Sequence, residues 1–144
     1  MRDATKELNI LRALKSYKSP FEVIGSYRLV DDGFRPEAMV IIKAEDSEMH
    51  EASTGVGPVD ALANVLKKSL SSIFPAIQGI SLVDFSSRIS DSRSGTSAKV
   101  EVSIIFTDGD NIWNVAAVSD NINMASFKAL IDGFEYAILS KSGK

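Results

Sequence analysis

Thr54-Gly55-Val56-Gly57-Pro58-Val59-Asp60-Ala61 is the stretch on which the reading of this chain turns. Two glycines and a proline stand directly before an amphipathic run, Val59, Leu62, Val65, Leu66 and Leu70. Glycine permits tight or left-handed backbone and lets a second group approach closely. Proline suits the first turn of a helix, where its missing N–H costs nothing. One reading is a loop that opens a helix with backbone N–H groups facing outward, where a carboxylate can be held. The other is a plain connection between a strand and a helix.

The second half of the chain repeats the plan. Val118-Ser119-Asp120-Asn121-Ile122 precedes a second amphipathic run, Met124, Phe127, Leu130, Ile131 and Phe134. Overlaying Thr54 on Ser119 puts Leu62 on Phe127, Val65 on Leu130 and Leu66 on Ile131. Strand-like runs precede each helix in matching order: 21–30 with 80–89, 37–44 with 98–106, and 48–52 with 111–118. Hairpin turns at Glu45-Asp46-Ser47 and Asp108-Gly109-Asp110 make neighbouring strands antiparallel. The expected fold class is α+β: two pseudo-symmetric β-β-β-α units, mostly antiparallel, with helices on one face. A helix over residues 6–17 lies outside the repeat, either a cap on the domain or the tail of a preceding one. The domain boundaries follow: 1–19 as a linker-like helix, 20–140 as the folded domain and 141–144 as a tail. Ala38-Met39-Val40-Ile41-Ile42 is continuously apolar, which predicts a strand covered on both faces.

At 144 residues the chain suits one domain with a modest core. Its formal net charge of −3 argues against nucleic acid as a partner. No apolar run is long enough to span a bilayer, so no membrane partner is expected. The absence of cysteine excludes thiol catalysis and thiolate metal sites, and fits a cytoplasmic location. The single histidine, His50, sits in the alternating segment Glu48-Met49-His50-Glu51-Ala52 and is read as a solvent-facing strand residue. With one histidine there is no two-histidine metal site, and no phosphate-loop or dinucleotide fingerprint occurs. The chain thus lacks the parts of most enzymes, and no catalytic residue, metal or cofactor is expected.

Several further motifs stand in a fixed order after the opening stretch: Leu82-Val83-Asp84-Phe85-Ser86-Ser87-Arg88, Gly95-Thr96-Ser97-Ala98-Lys99-Val100, and Val118-Ser119-Asp120-Asn121-Ile122 with Ala125-Ser126. Together they resemble the C-terminal regulatory domain of the 2-isopropylmalate synthase and citramalate synthase family, over roughly residues 21–139. Asp108-Gly109-Asp110-Asn111-Ile112-Trp113, Phe74-Pro75 and Glu135-Tyr136 are closer to the citramalate branch. The resemblance implies a homodimer that binds a branched-chain amino acid and thereby inhibits a catalytic barrel absent from this chain. That barrel condenses a 2-oxo acid with acetyl-CoA. Val56 and Ala117 depart from the family, which usually has Asn or Asp at the first and Gly at the second.

Carried over by position, the resemblance builds the effector site from three segments. The first is Gly55, Val56, Gly57, Val59 and Asp60, whose N–H groups would hold the effector carboxylate. The second is Leu82, Asp84, Phe85 and Ile89, and the third is Thr96 with Ala98. Asp60 or Asp84 would pair the ammonium, and Val59, Leu82, Phe85 and Ile89 would wall an aliphatic side chain. Core packing is the competing reading of Leu82, Phe85 and Ile89, and a favourable acid at a helix start that of Asp60. Asp84 inside an apolar strand calls for a partner if buried. A β-branched residue at Gly57 is expected to crowd the loop against the effector and to resist any positive φ needed there, abolishing amino-acid binding while leaving the fold largely intact.

Overall fold

The computed structural model describes residues 1–89 and 99–142. In chain order the elements are β1 (Arg2–Asp3), α1 (Ala4–Arg12), β2 (Glu22–Val23), β3 (Arg28–Val30), β4 (Glu37–Ala44), β5 (Ser47–Thr54), α2 (Pro58–Ser71), a 3-10 turn (Pro75–Gly79), β6 (Ser81–Ile89), β7 (Val100–Thr107), β8 (Ile112–Ser119) and α3 (Ile122–Ser142). This is the expected α+β succession, with the first strand of the first repeat broken in two. The chain divides into two compact units: Met1–Tyr17 with Gly79–Tyr136, and Lys18–Gln78 with Ala137–Lys144. They are the β6–β8 unit and the β4–β5 unit below.

In the β4–β5 unit, β4 pairs antiparallel with β2, β3 and β5. Its side chains alternate: Ala38, Val40, Ile42 and Ala44 are buried, whereas Met39 and Ile41 are half-buried on the other face. Within the single chain the second face is thus only half covered. The buried row lies under α2, which brings Leu62, Leu66 and Leu70 to zero exposure. Each such leucine contributes roughly 1.5–3 kcal/mol by leaving water. The predicted first strand is interrupted because Gly25 takes φ +73°, a left-handed conformation that turns the chain out of the pleat. Ile24 N–H still donates to Ile41 (2.9 Å) and Arg28 pairs with Met39, so Gly25, Ser26 and Tyr27 together face Val40 alone. By contrast β5 exceeds its predicted span, because the turn at Glu45 (φ 54°) starts a ladder that continues to Glu37 opposite Thr54.

In the β6–β8 unit the strand order is β1-β8-β7-β6, with β1 parallel to β8 and the others antiparallel. Val102, Ile104 and Phe106 of β7 and Trp113 and Val115 of β8 are buried with Phe127, Leu130 and Phe134 of α3. Phe106 stacks on Trp113 with ring centroids 6.0 Å apart, and Phe134 meets it edge-on at 5.5 Å. The Trp113 indole N–H donates to the Gly133 carbonyl at 3.1 Å, satisfying a buried polar group.

The N-terminal helix starts earlier and ends sooner than its leucine spacing predicts. The Asp3 carboxylate caps it by accepting from Lys6 N–H at 3.1 Å, and it stops at Arg12. Ala4 and Leu8 are fully buried in this unit. Tyr17 lies beyond the helix and donates its hydroxyl to the buried Glu135 carboxylate. Arg12 reaches Asp132 at 2.8 Å and Glu135 at 3.1 Å. Burial and the neighbouring Glu135 push the Tyr17 hydroxyl's pKa well above the usual phenol range.

Candidate functional site

The loop before α2 is closed by its own residues. Gly55 N–H donates to the Pro36 carbonyl at 3.1 Å, and Val56 N–H to the Asp60 carboxylate at 3.0 Å. Asn64, one turn further, donates to the Thr54 carbonyl at 3.0 Å and lies 3.5 Å from the same Asp60 oxygen. Asn64 was not singled out from sequence; its spacing of four from Asp60 on one helix face is the signal that finds it.

The two glycines have different reasons. A Cβ on Gly55 would overlap the backbone of α2 at Ala61, so the loop can lie against the helix only if residue 55 has no side chain. Gly57 is the N-cap at φ −151° and ψ 173°, extended backbone open to any residue, with nothing within 4 Å of an added Cβ. No positive φ is needed at Gly57. Gly55→Ala is expected to lower stability by about 1–2 kcal/mol, relaxed by movement of the surface loop. Gly57→Val should leave the melting temperature within a degree or two. Thermal denaturation of both variants checks this, and the reverse order would contradict the assignment.

The N-terminus of α2 has no side-chain hydrogen bond to its cap. Pro58 fills the first helical position, and the N–H groups of Val59 and Asp60 follow in the first turn. The matching end of α3 differs: the Asn121 side chain accepts from Met124 N–H at 2.8 Å. The second copy fills its own helix terminus and the first leaves it open. Val59 is half-buried, Val56 is 97% exposed at the tip, and Asp60 takes both hydrogen bonds on Oδ2, leaving Oδ1.

The second segment lies on β6, in the other unit. Val83 is an extra residue in the ladder, where Leu82 faces Phe106 and Asp84 faces Ile105. The bulge reverses the alternation, so Leu82, Phe85 and Ile89 share the face of the buried Ile104 and Phe106, and Asp84 points to the opposite face. Phe85 and Ile89 keep 36% and 64% exposure. They are not closed core. Asp84 is exposed, so the burial that would demand a partner is absent, and Arg88 pairs across the strand with Glu101 at 2.7 Å. Thr96 and Ala98 lie outside the described residues. Ala117 sits on the inner face of β8 opposite Val102.

The chain is similar to the (R)-citramalate synthase of Geobacter sulfurreducens, with 34% identity over 142 residues, 94% of this chain and 27% of that protein. It is 37% identical to the Aquifex aeolicus (R)-citramalate synthase over 143 residues, 95% of this chain and 27% of that protein. The Synechocystis (R)-citramalate synthase is 38% identical over 101 residues, 70% of this chain and 18% of that protein. The chain thus spans about a quarter of the length of the first two curated relatives. Residues 7–138, which take in both repeats and the loop between Thr54 and Ala61, match the LeuA allosteric (dimerisation) domain, and the chain belongs to that family.

Proposed function

We propose that this domain binds a branched-chain amino acid, isoleucine or leucine. As a homodimer it relays that occupancy as feedback inhibition to the catalytic barrel of a citramalate or 2-isopropylmalate synthase. The observation that carries the reading is the N-terminus of α2 behind a glycine loop, which no side chain caps, whereas the corresponding terminus of α3 in the second repeat is filled by Asn121. An uncapped helix start favours a carboxylate through its free N–H groups and its dipole. Oδ1 of Asp60 is available to an ammonium group. The family resemblance assigns the aliphatic side chain to Leu82, Phe85 and Ile89, whose shared, partly exposed face suits it. The domain itself carries no catalysis in this reading, works in the cytoplasm, and has neither nucleic acid nor membrane as a partner.

Calorimetric titration with isoleucine, leucine and valine tests the reading. Isoleucine is expected to bind tighter than leucine by on the order of tenfold, because the discrimination comes from shape at equal carbon count. Tighter leucine binding would move the chain to the isopropylmalate branch, and heat from none of the three would remove the sensor role. A second reading, a dimerisation module without ligand, is favoured by Val56, which exposes an apolar side chain where the family usually has a polar one. Light scattering is common to both readings. It should return twice the 15.6 kDa chain mass at micromolar concentration, and a persistent monomer would refute both.

A further inference from the structure

On the face of the β4–β5 sheet opposite α2 lies a trough of about 570 Å³. That is the size of a small-molecule site, roughly 300–1,000 Å³. Its floor is apolar: Met39, Ile41 and Ala52 from β4 and β5, with Ile24 at the side. Its wall is the detour at Gly25 and Ser26, where three residues stand opposite Val40 and the chain leaves the sheet. The recess is therefore built by a left-handed glycine and is not a gap between loose side chains.

Among the described residues two nitrogen-bearing side chains line it, Arg28 and His50. Among the described residues Arg28 has no carboxylate within ion-pair distance. Among the described residues Glu51 is the one acidic residue on the lining, and its carboxylate is engaged elsewhere: it faces Lys68 at 3.6 Å on the α2 side of the sheet. Glu48 pairs with His50 Nε2 at 3.5 Å but does not line the trough. An unpaired guanidinium over an apolar floor favours a carboxylate with a hydrocarbon tail. With no free acid among the described lining residues to receive an ammonium group, the trough favours such an anion over a zwitterionic amino acid.

We propose that this trough is a separate binding site for a short-chain aliphatic monocarboxylate. The carboxylate rests on Arg28 and the Ser26 hydroxyl, and the tail crosses Ile24, Met39 and Ile41. The site is independent of the loop before α2, so either can fail alone.

His50 is the single histidine, so its imidazole resonance is an unambiguous reporter inside the trough. The full chain is titrated with 3-methylbutanoate at constant pH and ionic strength, followed by that resonance. A saturable shift in the millimolar range is expected. Arg28→Gln should raise the midpoint at least about tenfold, and Arg28→Lys should restore part of the affinity. Arg28 is exposed, so both variants should keep the parent melting temperature. The uncharged 3-methylbutanamide and zwitterionic leucine should shift His50 weakly. No saturable shift, an unchanged midpoint in Arg28→Gln, or equal shifts from the amide would overturn the proposal. So would ligand-free broadening of His50 with rising protein concentration, which would mean that a second copy covers this face.

Discussion

Replacing Gly133 with alanine is expected to cost about 2–3 kcal/mol, lowering the unfolding temperature by roughly 6–12 °C. Helix propensity alone has the opposite sign, since alanine is better than glycine inside a helix by about 1 kcal/mol. The packing term decides. A Cβ at residue 133 would overlap the Phe106 ring, which is already packed against both Trp113 and Phe134 and so has little room to give. The strain falls on the best-packed aromatic cluster of the β6–β8 unit. Thermal unfolding followed by circular dichroism reads the effect, and the near-ultraviolet signal of Trp113 should change with it. Adding Phe106→Leu to Gly133→Ala should recover part of the loss, because the smaller side chain vacates the overlap. A single variant more stable than the parent would mean that propensity governs this position.

Arg12→Ala is expected to cost about 2–3 kcal/mol near neutral pH, with a deficit that narrows in acid. Removing one partner of a buried pair costs roughly 3–5 kcal/mol, and the partial exposure of Arg12 reduces the figure through solvent screening. Glu135 is 2% exposed, so its carboxylate depends on Arg12 and Tyr17. Burial already holds the Asp132 carboxyl above the usual carboxylate range; Arg12 opposes that shift and Glu135 adds to it. Without Arg12 the folded value rises further. A group that binds its proton more tightly when folded contributes fully below its unfolded pKa of about 3.9, and that contribution is lost as pH rises through the folded value. The variant should therefore lag furthest behind the parent at pH 7 and approach it toward about pH 4. Denaturant unfolding of both proteins across that range measures the difference; a gap that stays constant would argue that Arg12 acts through packing alone.

The repeat was legible because each amphipathic helix follows three apolar runs in the same order, and the ladders from Glu37 to Ala44 and from Val100 to Ser119 follow that pattern. What the pattern could not carry was backbone detail. A left-handed Gly25 and an inserted Val83 each change which residues share a face without altering local hydrophobicity. The loop before α2 could be located from its glycines and proline, but not which glycine was indispensable. Gly55 is required by a backbone that approaches it from the helix, a tertiary fact, whereas Gly57 has open space around it. The helix over residues 6–17 was misplaced for a related reason: Asp3 caps it early, and Tyr17 serves Glu135 through its hydroxyl and not as part of an apolar stripe.

The placement of Trp113 has an experimental consequence of its own. It is the sole indole in the chain and lies within the β6–β8 unit, while the sole imidazole lies within the β4–β5 unit. Red-edge fluorescence therefore addresses one half of the molecule and a single proton resonance addresses the other, without labels or engineered probes. Followed through the same denaturant series, coincident midpoints would mean that the halves melt as one cooperative body, and separated midpoints that each half is its own foldon.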